Sequence, residues 1–164
     1  MIIERLDPFC AWLEQTPLAL WLQSTEWAIP TVQTAHILAI GLLMASMLML
    51  NLRLLNVAFA EQPLPRVAAR FVPVIWWMLP VLLVSGMLMI TAEPARSLQN
   101  MAFQSKMLLL LMAIGLTLFT QSRVDTNSWG EGGTRWRKGL ALASLAVWIG
   151  ILFAGRWIAY VRVA

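Results

Sequence analysis

Four long apolar runs divide the chain, and short polar stretches separate them. The first, roughly 29–50, holds only Gln33 and His36 as strongly polar residues. The second, 71–92, carries no charge. The third, 103–120, is charged only at Lys106 near its start, and the fourth, 140–161, only at Arg156 near its end. A helix needs about 20 apolar residues to cross the hydrocarbon of a bilayer. Backbone groups in lipid must bond internally, so each run is expected to be an α-helix. The pattern predicts an all-α fold, an up-down integral membrane four-helix bundle forming one transmembrane domain over residues 1–164.

The boundaries carry their own signals. Thr25 and Glu26 ahead of Trp27 and Pro30 suit a capped, proline-led start to the first helix. "EQPLPR" (61–66) reads as a turn before the second and "EPARSLQN" (93–100) as a short polar connection. "SWGEGGTRWRKG" (128–139) reads as a Gly-rich loop closed by a basic cluster. Pro80 lies in mid-span and is expected to kink the second helix by freeing a carbonyl one turn back. Residues 8–23, "PFCAWLEQTPLALWLQ", are apolar but short and are interrupted by Glu14 and Pro17. With Trp12 and Trp21 they predict a short N-terminal interfacial helix along the bilayer surface.

Composition strengthens the membrane reading. The chain is 60% hydrophobic and 12% charged, against roughly half and a quarter in soluble domains. Its net charge of +4 does not point to nucleic acid, because the basic residues are spread over loops and form no stripe. The single cysteine, Cys10, excludes an intramolecular disulfide framework and a cysteine zinc cluster. Glu4, Arg5 and Asp7 argue against a cleaved leader. Arg53, Arg66, Arg70, Arg123, Arg135, Arg137 and Lys138 flank the connections after the first and third runs. Arg5, Arg96, Lys106 and Arg162 lie toward the other side. That bias predicts a bacterial inner-membrane protein with the richer side cytoplasmic and both termini periplasmic.

In this topology the ionisable residues share the outer half of the membrane. His36 lies about 10 Å deep at 1.5 Å per residue, with Lys106, Arg156, Met87 and Met89 at similar depth on the other runs. Ionisable groups at membrane depth are costly, face the bundle interior and mark function by default. Lys106 and Arg156 are also near enough to helix ends to snorkel. His36 is too short for that. It is either a neutral imidazole bonded to a neighbouring helix or a group with a proton-transfer or ligand role, toward a metal or heme iron. Gln33, Ile40, Leu43 and Met47 share its stripe, and Gln33 is placed to fix its tautomer. "MASMLM" (44–49) and "MLM" (87–89) offer soft thioethers to Cu(I), although flexible methionine is more often an ordinary core filler and neither 47 and 49 nor 87 and 89 converge on one ion. Trp27, Trp129, Trp136 and Trp157 sit where interface anchors belong, while Trp76, Trp77 and Trp148 are expected inside.

"TAHILAIGLLMASMLMLNLRLL" (34–55), "LVSGMLMITAEP" (83–94) and "NMAFQSKMLLLLMAIG" (100–115) resemble a group of small uncharacterised bacterial four-helix inner-membrane proteins. That group shares a histidine in the first span, a glycine in the second and an Asn-x-x-Phe-x-x-Lys opening to the third. It is similar in style to the membrane domain of copper-resistance D proteins, and more loosely to b-type cytochrome bundles. On this match His36, Gly86, Asn100, Phe103 and Lys106 are the family-like positions. Asn51 stands where an aspartate is expected, so no carboxylate acts there. The lone histidine excludes a bis-histidine heme within one subunit.

Three functions stay open. An accessory or anchor subunit, contacting lipid and a protein partner or a second copy, ranks first, because no catalytic constellation is visible. An electron-transfer subunit ranks second. It would bind one heme b through His36, with Met87, Met89, water or a second protomer's His36 as sixth ligand and Lys106 and Arg156 at the propionates. A quinone bonded to His36 is its close variant. A copper-handling protein, with His36 and a methionine as metal ligands, ranks third.

Overall fold

The computed structural model describes residues 7–98, 100–125 and 133–157. Among them the chain is helical with no strand. The N-terminal apolar segment forms two helices, α1 (Asp7–Glu14) and α2 (Pro17–Ser24), rather than one. The break has a local cause. Thr16 turns out of helical geometry and its hydroxyl accepts a bond from the Ala19 amide at 3.3 Å, while Pro17 opens the second helix. Cys10, Ala19 and Leu22 turn inward, and Phe9, Trp12, Leu18, Leu20 and Trp21 stay exposed, as suits helices lying in an interface. Burial, followed by the nearby Glu14 and Asp7 carboxylates, pushes the Cys10 thiol pKa up and keeps it neutral.

Four long helices follow, together with a short one. They are α3 (Ala28–Leu54), α4 (Leu64–Ala92), α5 (Pro94–Leu98), α6 (Met101–Asp125) and α7 (Gly133–Trp157). α3, α4, α6 and α7 are each long and apolar enough to cross a membrane. The chain is therefore an all-α integral membrane four-helix bundle. α3 and α4 form one antiparallel hairpin and α6 and α7 another, with α3 against α7 and a much lighter contact between α4 and α6. The order around the bundle is α4, α3, α7, α6. α1, α2 and α5 pack together over one end, hereafter the capped side. The opposite end bears the α3–α4 and α6–α7 connections and is the basic side.

One expected boundary moves. "EQPLPR" holds the start of α4, with Pro63 at its cap and Pro65 in its first turn, so the turn itself lies earlier. There Asn56 and Phe59 adopt left-handed backbone, with φ of 63° and 54°. Arg53 folds back over this turn, donating from Nε to the Gln62 carbonyl at 2.9 Å and from a terminal nitrogen to Asn56 Oδ1 at 3.2 Å. Pro80, like Pro73, lies inside α4, which runs continuously through both. Both prolines lie on its exposed side, where the missing N–H costs no helix–helix contact.

The interior is packed by Leu43, Met47, Leu54, Val72, Ile75, Ala113, Ala141, Trp148 and Ile151. Trp77, expected inside, is instead 72% exposed, and Trp76 takes the inward position. Lipid tails are as apolar as leucine, so association rests on close fit and on hydrogen bonds between helices. Gly150 supplies fit, since a Cβ there would lie 3.5 Å from Leu109 Cδ1. Asn51, fully buried, donates to Ser144 Oγ on α7 at 3.2 Å and to the Met47 carbonyl at 2.9 Å. Trp76 Nε1 donates to Gln121 Oε1 at 3.1 Å, joining α4 to α6. Gln23 Nε2 donates to the Ala92 carbonyl at 2.9 Å, fastening α2 to the end of α4. In a double-mutant cycle, Asn51→Ala and Ser144→Ala are expected to couple by about 0.6 kcal/mol and by less than about 2 kcal/mol. Unfolding of purified variants in mixed detergent measures this, and strict additivity would remove the bond from the account.

Candidate functional site

His36 lies two turns into α3 and meets α4 at Ser85. The contact joins imidazole Nδ1 to Ser85 Oγ at 2.7 Å. Ser85 is itself buried, and its hydroxyl donates to the Val81 carbonyl one turn back at 2.6 Å. A hydroxyl has one hydrogen to give. With that hydrogen on Val81, Ser85 can only accept from the imidazole, so Nδ1 carries the proton and Nε2 keeps its lone pair. No hydrogen-bond partner to Nε2 is found among the described residues.

The neighbouring residue on α4 is Gly86, where a Cβ would stand 3.7 Å from His36 Cε1. The imidazole therefore rests on bare backbone. An analogous contact forms across the bundle, where Lys106 of α6 leans on Gly155 of α7. A Cβ at Gly155 would stand 3.7 Å from Lys106 Nζ. Both polar side chains are half-buried. Near the capped side the bundle thus sets one acceptor and one donor on opposite helix hairpins, each beside a glycine.

The other expected participants divide. Ser85 faces α3, and Met89 follows it by one helical turn, hence on the same face; it is half-buried. Met87 lies two residues from Ser85, points away and is 56% exposed. Arg156 is exposed at the end of α7. Gln33 is also exposed, and Ser85 takes the tautomer-fixing position expected of it. Sequence reasoning passed over Ser85. Its only signal was a Ser–Gly pair inside an otherwise apolar, charge-free span. Asn100 is buried at the start of α6, as the Asn-x-x-Phe-x-x-Lys opening would have it. No group of three or more His, Cys, Asp or Glu side chains gathers among the described residues, so a copper ion would have to rely on His36 and thioethers.

Four spanning helices with one imidazole–hydroxyl contact and one lysine–glycine contact near the capped side define a compact multi-pass membrane protein. The chain belongs to a family of unknown function (DUF6644), whose sequence profile matches residues 11–161. No curated protein and no solved structure matches the chain.

Because the chain has a single histidine, selective 15N-histidine labelling gives one imidazole to observe. The neutral ring is expected to be protonated at Nδ1 and bare at Nε2, and Ser85→Ala is expected to abolish that preference. An Nε2-protonated ring in the unsubstituted protein would refute the assignment.

Proposed function

We propose that this protein is a non-catalytic, multi-pass subunit of a bacterial inner-membrane complex, acting as an anchor or accessory chain. The observation that carries this reading is how polar side chains at membrane depth are used. His36–Ser85, Asn51–Ser144 and Trp76–Gln121 each join one spanning helix to another. Such bonds make a stable frame whose outward faces are apolar. Leu108, Leu111 and Leu118 on α6 and Leu142 and Phe153 on α7 stand exposed for lipid, a partner chain or a second copy. The arginine-rich side faces the cytoplasm under the charge bias, which puts the His36 end toward the periplasm. Cross-linking of the tagged full-length chain in its native membrane, followed by extraction in mild detergent, tests this. A second chain in fixed stoichiometry, or a homo-oligomer, is the expected product, and a lone monomer with and without cross-linker would refute the reading.

A second reading is favoured by one observation. Ligating histidines generally donate their other ring N–H to a fixed acceptor, and Nδ1–H to Ser85 follows that arrangement, leaving Nε2 for a redox partner. A heme b iron is one such partner, with Met89 on the same side of α4. Protein purified after heme-replete expression would then show a Soret band that His36→Ala removes; colourless protein rejects heme.

A further inference from the structure

We propose that Arg53, at the end of α3 on the basic side, holds the phosphate of an anionic phospholipid. The proposal is independent of both readings above, which concern helix contacts and His36.

Burial and charge come first. Arg53 is 8% exposed, and a guanidinium keeps its charge in a protein. A buried charge is costly unless it is paired. Yet both groups that Arg53 bonds are neutral, the Gln62 carbonyl at 2.9 Å and Asn56 Oδ1 at 3.2 Å. No carboxylate pairs with it among the described residues. The surroundings add positive charge instead. Residues 53–70 and 123–138 hold seven Lys and Arg against Glu61, Asp125 and Glu131, which accounts for the whole net charge of +4. The Asn51–Ser144 bond sets α3 against α7. Arg137, two turns before Ser144 on the same face of α7, adds a cation toward this end. The end of α3 is short of an anion.

Geometry comes second. The bonds to the turn use Nε and Nη1 and so fix the plane of the guanidinium. Nη2 bonds nothing among the described residues and keeps some accessible surface. It is an open donor on a fork already held in place. Donors arranged in this way match the oxygens of a phosphate. The membrane comes third. Arg53 is the last residue but one of a spanning helix, which puts it at head-group level. Val57, in the turn that Arg53 grips, is 72% exposed, and Leu48, further into the span, is exposed as well. A phospholipid held by its phosphate at Arg53 lays its acyl chains along such apolar surface, whereas free phosphate matches the guanidinium alone.

The full-length protein is melted in nanodiscs of phosphatidylcholine with and without phosphatidylglycerol, and lipid retention in detergent is read by native mass spectrometry. Retained phosphatidylglycerol is expected to be preferred over phosphatidylcholine by about tenfold and to raise the melting temperature. Arg53→Gln is expected to remove both the preference and the increment. Its melting in phosphatidylcholine alone reports the turn, so loss of the turn is read separately from loss of the lipid. Arg70→Gln, which deletes an equal charge from the exposed side of α4, is expected to keep both. Where Arg53→Gln does not fold, Arg53→Lys, which keeps the charge but not the fork, carries the test with an expected loss of most of the preference. Equal retention of the two lipids, a preference unchanged in the Arg53 variant that folds, or equal losses in the Arg53 and Arg70 variants each overturns the proposal. Displacement of phosphatidylglycerol by millimolar inorganic phosphate also overturns it, because the anion would then be a soluble phosphate.

Discussion

In hydrocarbon a polar side chain has no water to fall back on, and α3 carries two that are committed to other helices. His36 bonds to α4 and Asn51 to α7. They are 15 residues apart on one helix, hence about 22 Å along it and about 60° around it. One residue therefore looks toward each of the two helices that flank α3. That relation places α3 between α4 and α7. The two hairpin connections then bring α6 against α7 and leave α4 and α6 as the loosest seam. The core leucines and alanines fit this arrangement, but apolar packing alone selects weakly among helix orders when the solvent is itself apolar.

The same constraint explains what could be seen in the sequence. The four spans, their up-down order and the shared depth of His36 and Lys106 follow from hydropathy and from counting residues along helices. Rotations of the helices do not. Met87 and Met89 look equivalent on the page of the sequence, and only the Ser85 contact turns Met89 toward α3 and Met87 toward lipid. Trp76 and Trp77 are adjacent in the same way, and the Gln121 bond decides which goes inward. Gln33 was a reasonable partner for His36 by spacing, yet a residue on the same helix competes poorly with a hydroxyl presented by the helix opposite. The α3–α4 turn was misplaced for a different reason. Of its left-handed residues, Asn56 and Phe59, the first accepts from Arg53, whose Nε also reaches the Gln62 carbonyl at the far end of the turn, a contact that residue spacing does not announce.

The two ends of the bundle then differ in a way that bears on function. Toward the basic side the buried amides and hydroxyls largely satisfy themselves. Thr117 donates to the Ala113 carbonyl at 2.7 Å, Thr120 to Leu116 at 2.8 Å, and Asn51 to Met47 as well as to Ser144. Folding consumes their hydrogen-bonding capacity. Ser85 near the capped side behaves similarly, spending its hydrogen on Val81. An imidazole has two nitrogens pointing in different directions, and a helix neighbour has engaged only one of them. Lys106 rests against a glycine, which offers its ammonium no side-chain acceptor. If the outer cluster existed only to hold helices together, a second serine or asparagine would do so at lower desolvation cost than an imidazole and an ammonium. Among the described residues, His36 and Lys106 near the capped side keep hydrogen-bonding capacity that the helix contacts leave unused, as the buried Trp148 indole N–H does in the interior.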